Sequence, residues 1–96
     1  MPPYDYRDGH PKESHSAQQI RGNKTEADFD NAAITSFASA MSNKMSQTKA
    51  QGRTGWQEIQ NYRLWEMLYD CVQKGDPVDV ANLAMMIHQN TQAGRG

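Results

Sequence analysis

The chain holds one cysteine among its 96 residues. A lone thiol, Cys71, excludes an internal disulfide and any multi-cysteine metal site, and it fits a reducing cytoplasm. Apolar residues are scarce too, at 36%, and mean hydropathy is −0.91. A chain folded throughout carries more, so part of this one is expected to stay unfolded. No apolar run reaches the length of a membrane span or a signal-peptide core, so no membrane partner is expected. Nor does one sign of charge dominate. The formal net charge is −1, which leaves no whole-molecule pull toward nucleic acid. What remains at this length is room for one small soluble domain.

Residues 1 to 24 lack an aliphatic anchor apart from Ile20, and they contain Pro2, Pro3, Gly9 and Pro11. Such a segment cannot bury enough surface to offset the entropy of ordering, about 1–2 kcal/mol per backbone residue. It is expected to be a disordered tail. Tyr4, Tyr6, His10 and His15 in it are either a short linear motif, a weak metal-binding pair, or residues of a solvated leader, the plainest of the three.

Order is expected from Thr25 to about Asn90, as an all-α three-helix bundle, with residues 91–96 frayed. Thr25-Glu26-Ala27-Asp28 reads as a capping box, with acids at the positive end of a helix. Phe29, Ala33, Phe37, Ala40, Met41, Lys44 and Met45 follow at spacings of three and four, and Ile34 and Ala38 widen the stripe. That pattern predicts an amphipathic helix of about six turns. It ends before Gly52-Arg53-Thr54-Gly55-Trp56, where two glycines disfavour helix and Trp56 is expected to cover the end of the bundle. Asn61 is placed to cap a second helix over 62–74, with Leu64, Trp65, Leu68, Tyr69 and Val72 as its apolar face and Met67 and Cys71 at the margin. Lys74 and Gly75 are stop signals. In Gly75-Asp76-Pro77-Val78-Asp79, Asp76 fits N-cap, Pro77 fits N1 and Asp79 fits N3 of a third helix. Val80, Leu83, Ala84 and Ile87 are its inward face. Leu83 to Ile87 is apolar without a break, wider than two neighbouring helices need.

The motifs Phe37-Ala38-Ser39-Ala40-Met41, Gly52-Arg53-Thr54-Gly55-Trp56, Gly75-Asp76-Pro77-Val78-Asp79-Val80-Ala81-Asn82 and Met85-Met86 together resemble a family of small bacteriophage and prophage proteins, over roughly residues 34 to 90. The resemblance implies a viral, phage-encoded protein acting in the cytoplasm of a bacterial host. It implies no defined activity. Asp76-Pro77-Val78-Asp79-Val80 is also similar, more weakly, to the closing metal motif of the all-α nucleoside triphosphate pyrophosphohydrolases. In that family two glutamates on one helical face share the metal. Here the upstream helix offers Glu66 and Asp70, at a wider spacing than that family uses.

Three functional readings follow. The first is a phage accessory protein that acts by protein–protein interaction with a host or phage protein, through Met85, Met86, Lys49, Arg53 and Trp56. Methionines suit a surface that repacks around different partners, and the apolar surplus of the third helix argues for a homodimer. This reading takes no cofactor, no metal and no catalytic residue. The second is a nucleotide-binding or degenerate pyrophosphohydrolase-like module with Glu66, Asp70, Asp76 and Asp79 on a metal. Against it, a cap explains Asp76, Pro77 and Asp79 together. The third is nucleic-acid binding by the loop, with Lys44, Lys49, Arg53 and Arg63 around a stacking Trp56; four charges are a modest footprint. Asn82, beside Asp79, either bonds across the bundle or faces water. His88 reads as a cation near a helix end, and Cys71 as a buried, inert thiol.

Overall fold

The structure, a computed structural model, describes residues Lys24–Gly96. The expected disordered tail therefore lies, but for Lys24, outside the described residues. These contain three α-helices, α1 (Glu26–Ala50), α2 (Asn61–Lys74) and α3 (Pro77–Gln92), with a short 3-10 turn at Trp56–Glu58 and no strand. The fold is the all-α three-helix bundle the periodicity predicts. No helix among the described residues is long and apolar enough to cross a membrane.

The described residues divide after Thr35 into two units, the second being Ser36–Gly96. In the first, the described residues form the opening turns of α1. Thr25 and Asp28 exchange hydrogen bonds there: the Asp28 N–H donates to Thr25 Oγ1, and the Thr25 N–H donates to Asp28 Oδ2, each at 3.1 Å. This reciprocal pair satisfies two of the amides that a helix start leaves without partners.

The second unit is built on the α2–α3 hairpin. Gly75 sits at φ 75° and closes α2, its N–H donating to the carbonyls of Cys71 and Val72. The Asp76 N–H reaches back to Cys71 O at 3.3 Å. A residue with a Cβ resists this left-handed conformation, so glycine is the natural stop. One residue later Asp76 starts α3, Oδ1 accepting from the N–H groups of Val78 and Asp79 at 3.1 and 3.2 Å. Two residues thus reverse the chain. At the far end of the hairpin, Asn61 Nδ2 donates to Thr91 Oγ1 at 3.2 Å, so the start of α2 lies beside the end of α3 and the two helices run antiparallel.

Leu64, Leu68, Leu83 and Ile87 are the buried core, with Ile59, Met67, Cys71, Val80 and Met86 packed around them. The inward face of α2 is therefore Leu64 and Leu68 flanked by Met67 and Cys71. Trp65, Tyr69 and Val72, expected on that face, are exposed, as is Tyr62. At 100° per residue, Leu64, Met67, Leu68 and Cys71 fall within about a quarter-turn of helix surface. The aromatic residues form a second, adjacent sector.

α1 keeps its predicted face at Phe29, Ala40, Met41, Lys44 and Met45 and departs from it in between. It has no fully buried residue. Ala33, Ile34, Phe37 and Ala38 are exposed, whereas Ala40, Met41, Lys44, Met45 and Thr48 are half-buried at helical spacing. Within the second unit, α1 meets the hairpin through this last stripe.

Two terminal expectations change. Asn61 does not cap α2. It lies inside the first turn, Gln60 precedes it without a side-chain cap, and the Asn61 N–H is taken by the carbonyl of Gly96 at 3.1 Å. The end of the chain is not frayed either: α3 continues to Gln92, and Asn90 is fully buried, at 0% exposure. Asn90 Nδ2 donates to the carbonyls of Trp56 and Ile59 at 3.4 and 3.5 Å, and its Oδ1 accepts from Arg95 Nε at 3.0 Å. One amide thus ties the 3-10 turn, α3 and the C-terminal residues together, as a buried polar group must be tied if its desolvation is to be compensated.

Candidate functional site

Between the last turns of α1, the 52–56 loop and the hairpin lies an open cleft of about 620 Å³. The core packing dictates its floor. Leu64 and Leu83 reach it from the hairpin, and Met45, Met67 and Met86 line it from all three helices. Gln51, Arg53, Thr54 and Trp56 line it from the end of α1 and the loop. Methionine side chains are unbranched and polarizable, so a floor holding three of them can change shape at little cost.

A polar edge is built where α1 meets α3. Lys44 Nζ lies 3.3 Å from Asp79 Oδ1 and 3.6 Å from Asp76 Oδ2. The hydrogen bond to Asp79 holds the Lys44 ammonium above its ordinary value. The Asp76 carboxyl is held below the usual carboxylate value, first by the Asp79 backbone N–H and further by Lys44. Asp79 therefore occupies N3 with its backbone N–H capped by Asp76, and its carboxylate also reaches Lys44 on α1. Beside it Asn82, at 4% exposure, donates from Nδ2 to Met41 O at 3.2 Å. Of the two alternatives open in the sequence, Asn82 takes the bond across the bundle. Asn82 Oδ1 is buried and has no hydrogen-bond partner among the described residues, and the residue is part of the cleft lining.

The structure gathers some of the residues singled out in the sequence and scatters others. Arg53, Trp56 and Met86 share the cleft. Met85 does not line it, and Lys49 is exposed next to Thr48 in the last turn of α1. Met86 packs against the core, Met85 is half-buried and Ala84 is exposed, so the apolar surplus read into α3 is covered only in part. Of the four carboxylates considered for a metal, Asp76 and Asp79 face Lys44, while Glu66 pairs with Arg63 at 2.9 Å on the exposed side of α2. Asp70 is exposed on the same helix. No three His, Cys, Asp or Glu side chains among the described residues are placed to share a metal ion. Of the four cations considered for a phosphate backbone, Lys44 and Arg63 are engaged by acids, which leaves Lys49 and Arg53. His88 is exposed. Cys71 is half-buried, and burial pushes its thiol up, away from the thiolate that nucleophilic chemistry needs.

Sequence reasoning placed Met41, Lys44 and Met45 on the inward stripe of α1 but missed the cleft, because the cleft depends on where that stripe rests on the hairpin. The one available signal was Lys44. A cation inside an apolar stripe calls for an acid opposite, and Asp76 and Asp79 were the acids nearest a helix start. No family model matches the chain. No curated protein and no solved structure is similar to it.

Proposed function

We propose that the protein acts by binding another protein, whose apolar anchor enters the cleft between α1, α2 and α3. The observation that carries this reading is the methionine-lined floor beneath an open mouth, with Arg53 and Trp56 in its lining. Trp, Arg and Met are enriched at protein interfaces, and adaptable floors suit partners of variable shape. Among the described residues Arg53 and Lys49 form no ion pair, so the partner segment is an amphipathic one: a bulky apolar residue flanked by acids. In this reading the chain is not an enzyme and takes no cofactor. The resemblance to small phage and prophage proteins supplies the setting, a phage-encoded accessory protein acting on a host factor in the bacterial cytoplasm.

The test is site-resolved crosslinking in bacterial lysate. A photoreactive benzoylphenylalanine at Gln51, in the cleft lining, is compared with one at His88, exposed on α3 and outside it. One discrete adduct should form from Gln51 and not from His88, and Arg53→Glu or Trp56→Ala should remove it. The same adducts from both positions, or an adduct indifferent to both substitutions, would contradict the reading.

A further inference from the structure

The second apolar sector of α2 is a surface that the fold itself does not use. Tyr62, Trp65, Tyr69 and Val72 are 67%, 44%, 61% and 53% exposed. They form one stripe, at steps of three, four and three residues, which keeps them within about 80° of helix surface at 100° per residue. Trp65 and Tyr69 already stack, with ring centroids 6.1 Å apart and planes tilted by 32°, so the centre of the stripe is ordered before anything docks on it. Glu66 borders the stripe, and Arg63 neutralises it at 2.9 Å.

We infer that this stripe is a homodimer interface, in which two copies pack α2 against α2 antiparallel about a two-fold axis. The spacing argues for a second copy over an unrelated partner. Three, four, three reads the same in both directions: Tyr62 and Val72 are equidistant from Met67, and so are Trp65 and Tyr69. A two-fold contact requires that residue i meet residue j of the other copy while j meets i. An antiparallel pair centred at the level of Met67 does this, setting Trp65 on the partner's Tyr69 and Tyr62 on the partner's Val72. Every aromatic then gains an apolar neighbour, and no charge enters the seam.

The area sets the strength. A whole aromatic side chain buries about 150–250 Å², so the exposed fractions amount to roughly 450 Å² per copy. Stable complexes bury about 800 Å² per partner. The dimer is therefore a weak one that forms with rising concentration, helped by the prepaired Trp65 and Tyr69, whose ordering does not have to be supplied on binding. The cleft lies on other residues, so this interface does not depend on the proposed function.

The experiment is light scattering after size exclusion across micromolar to millimolar concentration, together with an isotope-filtered NOE spectrum of mixed labelled and unlabelled full-length chain. The mass should climb from one chain toward two. Intermolecular NOEs should join the Val72 methyls to the Tyr62 ring, two groups ten residues apart on one helix that cannot meet within a copy. Tyr69→Lys and Trp65→Glu change exposed positions; each should keep the helical circular dichroism of the wild type and lose at least tenfold in association. A chain that stays monomeric at millimolar concentration would overturn the inference. So would a dimer whose NOEs arise from α3, one that joins Val72 to Val72 as a parallel pair requires, or one that Tyr69→Lys leaves intact in a folded protein.

Discussion

Asn82 on α3 donates its side-chain amide to the carbonyl of Met41 on α1, at 3.2 Å and almost out of solvent. The bond fixes α1 against the hairpin at the back of the cleft. It also leaves Asn82 Oδ1 as an acceptor without a donor among the described residues. The same residue thus positions α1 and is part of the cleft lining.

Removing that amide should loosen α1. Asn82→Ala is expected to cost about 1–3 kcal/mol, the usual consequence of leaving a buried partner unsatisfied. Asn82→Asp should cost more, since a carboxylate would face the Met41 carbonyl. Urea unfolding of the two variants checks the order. An Asp variant as stable as wild type would refute the bond.

Neighbouring residues on α2 test which face is inward. Leu64→Ala empties a fully buried site and should cost about 2–5 kcal/mol. Trp65→Ala, one residue on and exposed, should cost about 1 kcal/mol or less at low protein concentration. The reverse ranking in denaturant titrations would restore the face that the amino-acid pattern predicts.

The Asp76 cap and its lysine predict a stability profile with two limbs. Asp28 and Asp76 are held below their ordinary 3.8. Their contribution is complete above that value and is lost as pH falls through the lower folded values. Lys44 is held above its ordinary 10.5, so its contribution is complete below that value and is lost as pH rises through the higher folded one. Asp76→Asn keeps the cap and should flatten part of the acid limb at little cost in Tm, whereas Asp76→Ala should lower Tm by several degrees at neutral pH. Lys44→Gln should remove the alkaline limb. Thermal unfolding across pH measures all three, and an acid limb unchanged in Asp76→Asn would count against the account.

Gly75 offers a conformational test. Nothing lies within 4 Å of the Cβ that alanine would add, and φ is +75°. Gly75→Ala should therefore cost about 1–2 kcal/mol through backbone strain alone, and Gly75→Asn less, because asparagine visits this region more readily. Equal costs for the two in chemical denaturation would mean that something other than φ is at stake.

Local signals were legible in the chain because each acts over a few residues. Thr25 with Asp28, Gly75, Asp76 with Pro77, and the glycines around Trp56 mark the ends of three helices within one or two positions. Asn61 misled, because an asparagine before an apolar run is a good cap; only the nearness of Thr91 and Gly96, thirty or more residues away, gives it other partners. The choice of face on α2 was not legible for a physical reason. Two apolar sectors adjoin on one helix, and hydrophobicity alone favours the larger aromatic side chains. Packing against α3 instead selects Leu64 and Leu68, whose shapes interdigitate with Leu83 and Ile87. Asn90 looked like a polar helix end, yet its burial depends on the Trp56 turn and on Arg95 folding back. The cleft inherits these long-range facts: Trp56, Arg53 and Met86 were candidates by type, but Asn82 and Lys44 join them only through the tertiary placement of α1.

The most direct test of the cleft as the binding site is a methionine-methyl NMR titration of the full chain with indole, a flat apolar probe that carries one N–H donor. The account predicts saturable shifts of the Met45, Met67 and Met86 methyls, weakened in Asn82→Ala, with Met85 unmoved. Saturable shifts at Met85 alone, or no saturable shift at Met45, Met67 and Met86, would contradict it.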